Sequence, residues 1–565
     1  MNEINITDRL LLSKTNIFIL FFAVFIGIAC FMAFPPYSGD DCYITYRYAY
    51  NLYHHKQFAF NLDERVLSTT TPLYTMILAG CTFFTDNIPM MSHFISFISA
   101  SLAGFIVFLI FKESNPLLGI FFAVSLPFIL RDIGLEINFL IFLFMLSTYL
   151  FVRERYLLCC VVLALCFLTR QDSAIFIFCM AVMCFLRTKR FPLKELALFI
   201  VLIAPWFAFC YFYFGSFFPS TLQAKIGYIG FWHYFVSAFW YLAHYCDAYN
   251  FYLLSFLSKK IPNVLPFDIK FAQMVYLISF YFVIIIAGIA FCLKNIRKDN
   301  YAGILFYIYP SLMIIVLCFI APPPEHRWHL TSAIIFALIG QLNFMTTSVL
   351  FWIKHKASST LLRKAFSICA VAAVCVCLLY FIRVNVSSFY SMVKTADKSF
   401  WFGARFESYK KLGLFLRDTV AEDASVFALE VGTIGFFSGK RMIDGSGLIS
   451  SGYDIYHRKG CWLMINDGNP APFRYENNQK GCWLAGIEKE IPDYIVADDM
   501  QVPYYTPIFY TEDYFGKKIV YRKNGDLPAD AYPYSELMRN WEQFMLGIYG
   551  RRDLADWLSA TSSLM

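Results

Sequence analysis

The sequence predicts an α-helical polytopic membrane protein with about eleven transmembrane helices, followed by a C-terminal α/β domain on the far side of the membrane. Three observations predict it. Of 565 residues, 59% are hydrophobic, 19% aromatic and only 15% charged, more apolar surface than soluble domains can hide. The apolar residues are grouped in runs of about 20, the length a helix needs to cross the hydrocarbon layer. Lys and Arg collect in every second loop, as cytoplasmic loops do.

In chain order the runs place spans near 16–34, 90–111, 116–131, 134–152, 156–169, 173–187, 195–214, 271–293, 301–320, 331–353 and 366–385. With the N-terminus (Arg9, Lys14) cytoplasmic, the inner loops carry Lys112, then Arg153 and Arg155, then Arg187, Lys189, Arg190 and Lys194, then Lys294, Arg297 and Lys298, then Lys354, Lys356, Arg363 and Lys364. That parity puts residues beyond 385 in the periplasm of a bacterial inner (cytoplasmic) membrane. A cleaved signal peptide is the alternative for the first span, since Gly27-Ile28-Ala29-Cys30 faintly resembles a lipoprotein cleavage site, but its length and the loop parity favour a span. The loops account for most of the net charge of +7, so the basic balance points to membrane topology and to no nucleic-acid partner.

The expected organisation is a transmembrane module over 1–385, with exported loops at about 35–89 and 215–270, and an exported α/β domain over 386–565. Pro72–Phe84 is apolar but too short to span, and fits an interfacial segment. In the exported domain, 402–419 has helical spacing, while 424–431, 493–496 and 517–521 read as strands. Gly432–Gly439 reads as tight backbone turns; it lacks the ending of a phosphate loop and the spacing of a dinucleotide fold. Of the 17 cysteines most sit in apolar spans, where Cys packs as a small hydrophobe. Cys461 and Cys482 stand instead in two Gly-Cys-Trp-Leu echoes of the exported domain, and are expected to form a disulfide.

Asp40 and Asp41 emerge from the first span behind Pro35-Pro36. Adjacent carboxylates at a membrane surface can take a hydroxyl proton, coordinate a divalent metal or stabilise positive charge at an anomeric carbon; they can equally begin a helix, where Asp caps and opposes the dipole. What surrounds them is more specific. Asp40–Leu52, Phe58-Ala59-Phe60-Asn61, Glu64-Arg65-Val66 and Thr71-Pro72-Leu73-Tyr74 resemble the first exported loop of GT-C membrane glycosyltransferases, above all terminal arabinofuranosyltransferases of the AftB type and LphB-like proteins. Gly134-Leu135-Glu136, Leu168-Thr169-Arg170-Gln171-Asp172, Phe214-Gly215-Ser216, Pro219-Ser220-Thr221 with Ala224-Lys225, and Gly432–Gly439 with Asp444 and Gly447-Leu448 resemble further pieces of it in the same order. His55, Gln57 and Ser68–Thr71 depart from the pattern, in the loop that would shape the sugar pocket.

The resemblance implies transfer of a sugar from a polyprenyl-phosphate donor to a glycan or glycolipid acceptor of the cell envelope, on the exported face, with a first-loop aspartate essential. Asp40 and Asp41 are then the catalytic candidates, with no certain cofactor and a divalent metal possible at that pair. Arg47, Arg65, Glu136 and Arg170, in the matching segments, are candidates for holding donor phosphate or substrate. Lys225 and Arg327 are added as cations at exported ends of apolar sequence, where an anionic headgroup sits, although snorkelling explains them too. His326 lies in Glu325-His326-Arg327-Trp328-His329, a cluster that suits a sugar phosphate, a membrane interface or a metal. Arg170 and Asp172 could instead pair with each other. Two other function classes remain: a lipid-linked glycan transporter or assembly protein, and an oligosaccharide polymerase or ligase. Against the transporter, the distinctive charges gather at exported helix ends and no half-to-half repeat is evident.

Overall fold

The computed structural model describes residues 13–35, 37–130, 132–217, 219, 290, 301–320, 328–356, parts of 379–394, 404–428, 430–444, 449, 493–498, 505–513 and 516–525. Within them the membrane module is helical, and its helices follow the apolar runs. α1 (Lys14–Ala33) starts at Ser13, whose hydroxyl accepts from the Asn16 N–H at 3.2 Å. It ends before Pro35, and Phe18, Phe21, Phe25 and Met32 remain exposed along it as a lipid-facing side. α2 (Asp40–His54) and α3 (Pro72–Cys81) follow α1 in the stretch expected as an exported loop, and the short apolar run is a ten-residue helix, too short to cross.

Next come α4 (Ile88–Phe111), α5 (Pro116–Ile129), α6 (Ile137–Val152), α7 (Tyr156–Thr169), α8 (Ala174–Thr188), α9 (Leu193–Phe209), α10 (Tyr301–Ile320) and α11 (Trp328–Lys356). Among the described residues, four stretches are long and apolar enough to cross a membrane: Lys14–Ala33, Ile88–Phe111, Gln171–Thr188 and Leu193–Phe214. α5, α6 and α7 are shorter apolar helices. The expected spans at 271–293 and 366–385 lie outside the described residues, apart from isolated positions. The bundle core is aromatic: Phe144 stacks on Phe176 at a centroid distance of 4.0 Å, with Tyr309 and Phe336 edge-on to the pair.

The C-terminal residues fold as an α/β unit. α12 (Ala404–Thr419) precedes β1 (Ser425–Ala428), α13 (Val431–Ser438) and β2 (Arg441–Asp444); β3 (Tyr494–Asp498), β4 (Tyr505–Asp513) and β5 (Gly516–Lys523) follow. The sheet order is β2-β1-β3-β5-β4, with β1 parallel to β2 and β3, and β5 antiparallel to β3 and β4. α13 is thus the crossover between two parallel strands. The glycine-rich stretch expected to turn is this helix, and only its end turns, at Gly439 with φ +66. Packing overrides the modest helix penalty of its glycines, because α13 lies against α2 more closely than side chains would permit.

Candidate active site

α2 begins immediately after Gly39, with Asp40 and Asp41 in its first turn. Asp41 is exposed. Asp40 is half-buried, and its carboxylate accepts the backbone N–H groups of Gly432 at 2.9 Å and Thr433 at 2.7 Å. Those are orphan donors at the start of α13, so Asp40 does cap a helix, but a helix of the C-terminal unit. About two turns further along α2 stands Arg47, which is buried and donates to the carbonyls of Gly435 at 2.7 Å and Lys440 at 2.5 Å. Its guanidinium also lies 4.4 Å from the centre of the Phe60 ring. One helix therefore offers an anion to the positive end of α13 and a cation to its negative end.

The fit is close. A Cβ on Gly432 would come within 2.0 Å of the Asp40 carbonyl oxygen, and one on Gly435 within 2.8 Å of Arg47 Nη1. Asn61 extends the junction by exchanging both bonds with Met442, donating to its carbonyl at 2.8 Å and accepting its N–H at 2.9 Å, while Arg441 pairs with Glu64 at 2.6 Å. Tyr43 fills the gap with Phe406, Phe436 and Phe437. Asp40, Arg47, Asn61 and Glu64, all in the first-loop segments that resemble glycosyltransferases, thus hold the C-terminal unit.

Electrostatics around Asp40 are acidic. Burial pushes its carboxyl up to about 7; Glu430 and, less strongly, Asp41 add to the rise, while the Thr433 hydrogen bond opposes it. Glu430 is itself paired with Arg405, whose Nε donates to the Tyr409 hydroxyl at 3.0 Å. Neither Glu430 nor Arg405 was read as a site residue from sequence. Sequence gives no signal for either, since Arg405 lies inside the expected helix 402–419 and Glu430 inside the expected strand 424–431.

A second cluster closes the other side. Gly134, with φ +92, has its carbonyl bound by the Tyr46 hydroxyl at 2.9 Å and the Ser92 hydroxyl at 2.7 Å, and its N–H by Ser96 at 3.2 Å. A Cβ there would meet Ser38 Oγ at 2.5 Å, so glycine is required twice over. This clamp fixes the loop before α6 and with it Glu136, which is buried. Arg170 donates to Glu136 through Nη1 and to Asp172 through Nε at 3.0 Å and Nη2 at 2.7 Å. The Arg170–Asp172 pairing is therefore present, and both acids neutralise the guanidinium. Burial first, then the charges of Asp41 and Glu136, push the Cys42 thiol well up.

Of the remaining candidates, Arg65 is exposed, with its guanidinium 4.8 Å from the centre of the Tyr213 ring. Lys225, His326, Arg327, Cys461 and Cys482 lie outside the described residues. Among the described residues no group of three or more His, Cys, Asp or Glu is arranged to hold a metal ion. Both Asp40 oxygens face N–H donors, an arrangement unlike a two-aspartate chelate.

Residues 399–551 match a family described as a domain of unknown function, DUF8728. No curated protein gives a significant match to the chain. Two solved structures are similar over most of its length. ArnT from Cupriavidus metallidurans bound to undecaprenyl phosphate aligns at a TM-score of 0.50 and 10% identity, covering 90% of this chain and 98% of that one. The apo state of the same protein aligns at 0.49 and 9%, with the same coverage. At such identity the likeness is one of architecture, and it gives the chain the fold of ArnT: a polytopic helical membrane protein.

Proposed function

We propose that the chain is an integral-membrane glycosyltransferase of the GT-C type, transferring a sugar from a polyprenyl-phosphate donor to a glycan or lipid acceptor of the cell envelope at the periplasmic face of a bacterial inner membrane. The observation that carries this reading is Asp41, an exposed carboxylate in the first turn of α2, next to Asp40, which binds the C-terminal unit. The fold supports it, since the ArnT structure that shares it holds undecaprenyl phosphate. In this reaction the acceptor oxygen bonds to the anomeric carbon, the bond from that carbon to the phosphate oxygen breaks, and the phosphate leaves with the electron pair. Asp41 takes the acceptor's proton or stabilises the oxocarbenium-like centre. Asp40, whose oxygens face α13, positions the site. Arg65, Lys225, His326 and Arg327 are the proposed partners of the donor phosphate, because the charges of Arg47 and Arg170 are spent within the protein. The same reading places the N-terminus in the cytoplasm, the C-terminal unit in the periplasm and a Cys461–Cys482 disulfide in that unit.

The test is transfer from a panel of radiolabelled polyprenyl-phosphate sugars to a cell-envelope extract by the purified protein. Wild type should transfer from at least one donor, and Asp41→Asn should lose roughly 100-fold, the scale of a general acid–base group. Near-normal transfer by Asp41→Asn and by the Asp40→Asn/Asp41→Asn pair would remove this site. Donor binding without transfer would favour a carrier transporter.

A further inference from the structure

Between α6, the middle of α10, the start of α11 and the segment just before α8, the bundle leaves a small pocket whose polar side is Arg170, Asp172, Ser173, Tyr309 and Ser332 and whose other side, Phe144 included, is apolar. Ser173 is 2% exposed, and its Oγ has no hydrogen-bond partner. A buried hydroxyl left unpaired is costly and rare enough to require a reason. The groups around it have theirs: the Tyr309 and Ser332 hydroxyls bond to each other at 2.7 Å, and Arg170 is held by Glu136 and Asp172. The Asp172 side chain is 27% exposed, so this wall reaches the open side.

We propose that this pocket is a hydroxyl subsite, holding one hydroxyl of the donor's sugar between Ser173 and the Asp172 carboxylate. The inference rests on the glycosyltransferase reading above and adds to it a neutral, hydroxyl-bearing contact separate from the phosphate partners. Three features argue for that chemistry. The volume, ≈ 10 Å³, matches one hydroxyl group and excludes a whole ring or a phosphate. Asp172 and Ser173 bring a carboxylate acceptor and a hydroxyl to the same wall, the pairing that suits a sugar hydroxyl. Apolar side chains, Phe144 among them, line the rest of the pocket beside these polar groups, a mixture that suits sugars better than lipid tails. Ile137, which follows Glu136, lines the pocket, and Arg170 joins it to the Glu136 carboxylate.

The test compares two kinds of probe on purified full-length protein: polyprenyl phosphate without sugar, and polyprenyl-phosphoryl pentoses and hexoses with their single-deoxy analogues. Ser173→Ala removes only the unpaired hydroxyl and should fold with an unchanged or higher melting temperature. It should bind the sugar-bearing donor about five- to tenfold more weakly and the sugar-free lipid equally well. One deoxy analogue should bind wild type and Ser173→Ala alike, the mark of a direct pair. Ser173→Val, which fills the space, should weaken the sugar-bearing donor further and again spare the sugar-free lipid. Equal binding of every donor by wild type and both variants, or equal losses for the two kinds of probe, would mean that the pocket holds water only and would overturn the subsite. If wild type binds neither kind of probe, the glycosyltransferase reading falls first and the subsite with it.

Discussion

At the α2–α13 junction each buried charge faces the end of a helix, Asp40 the N–H groups of Gly432 and Thr433, and Arg47 the carbonyls of Gly435 and Lys440. At the end of the bundle the charges face one another, Arg170 between Glu136 and Asp172. The difference is one of consequence. A charge on a helix end meets only partial charges, worth about 0.3–2 kcal/mol each, and no second full charge depends on it. A buried ion cluster balances several kcal/mol of desolvation per ion against attraction, so removing one member leaves the rest uncompensated. The junction is built to hold two units together at modest cost, and the cluster to fix one geometry.

The sharpest way to break this comparison is Arg170→Met, which strands Glu136 beside Asp172. It should destabilise the protein by about 3–5 kcal/mol in thermal or denaturant unfolding, and adding Glu136→Gln to it should recover a large part. A melting curve like that of wild type would show that the cluster is wet and its charges screened, and the contrast with the junction would vanish.

Gly432→Ala tests the junction by shape. Helix propensity alone predicts a gain of roughly 1 kcal/mol from replacing a helical glycine. The new Cβ, however, would sit 2.0 Å from the Asp40 carbonyl oxygen, a backbone atom that cannot swing aside. Overpacking should win and cost about 1–3 kcal/mol, read as a lower melting temperature and faster proteolysis between the two units. A stabilised variant would mean that α13 can step away from α2 freely.

The two regions also differ in how much of them the sequence discloses. The membrane helices are legible because long apolar runs end at visible punctuation: the run behind Pro116 is α5, and 156–169 is α7 to the residue. Strand β2, four residues after a glycine, and β4, which contains Pro507, carry too little alternation to be read. α13 is hidden by its own glycines, whose purpose lies in another segment. In the site, paired carboxylates at a helix start are readable from local sequence, but the groups that Asp40 binds lie 392 and 393 residues away. Arg170 and Asp172 are close enough in sequence to suggest their pairing, whereas Glu136, 34 residues upstream, is not. Ser173 gives no signal at all, because an unpaired hydroxyl is a property of packing.

The smallest effect expected is that of Asp40→Asn, and it should change sign with pH. Burial, then Glu430, raise the Asp40 carboxyl from its ordinary 3.8 to about 7, so the folded protein holds this proton more tightly than the unfolded chain does. The stability this contributes is complete below about pH 4 and is lost as pH rises through about 7. Asn is neutral throughout and keeps one oxygen for one of the two N–H groups of α13, at a cost of about 1 kcal/mol for the mismatched second. At pH 5 the variant should therefore be equal to wild type or slightly weaker. Between pH 5 and pH 8 its relative stability should rise by roughly 1–2 kcal/mol, a figure reduced for the partial exposure of the side chain, so that it overtakes wild type. Denaturant melts of both proteins at pH 5, 6.5 and 8 would check this. Parallel curves would mean that the two N–H bonds, not burial and Glu430, govern the carboxylate, and that the junction is as indifferent to protons as a surface cap.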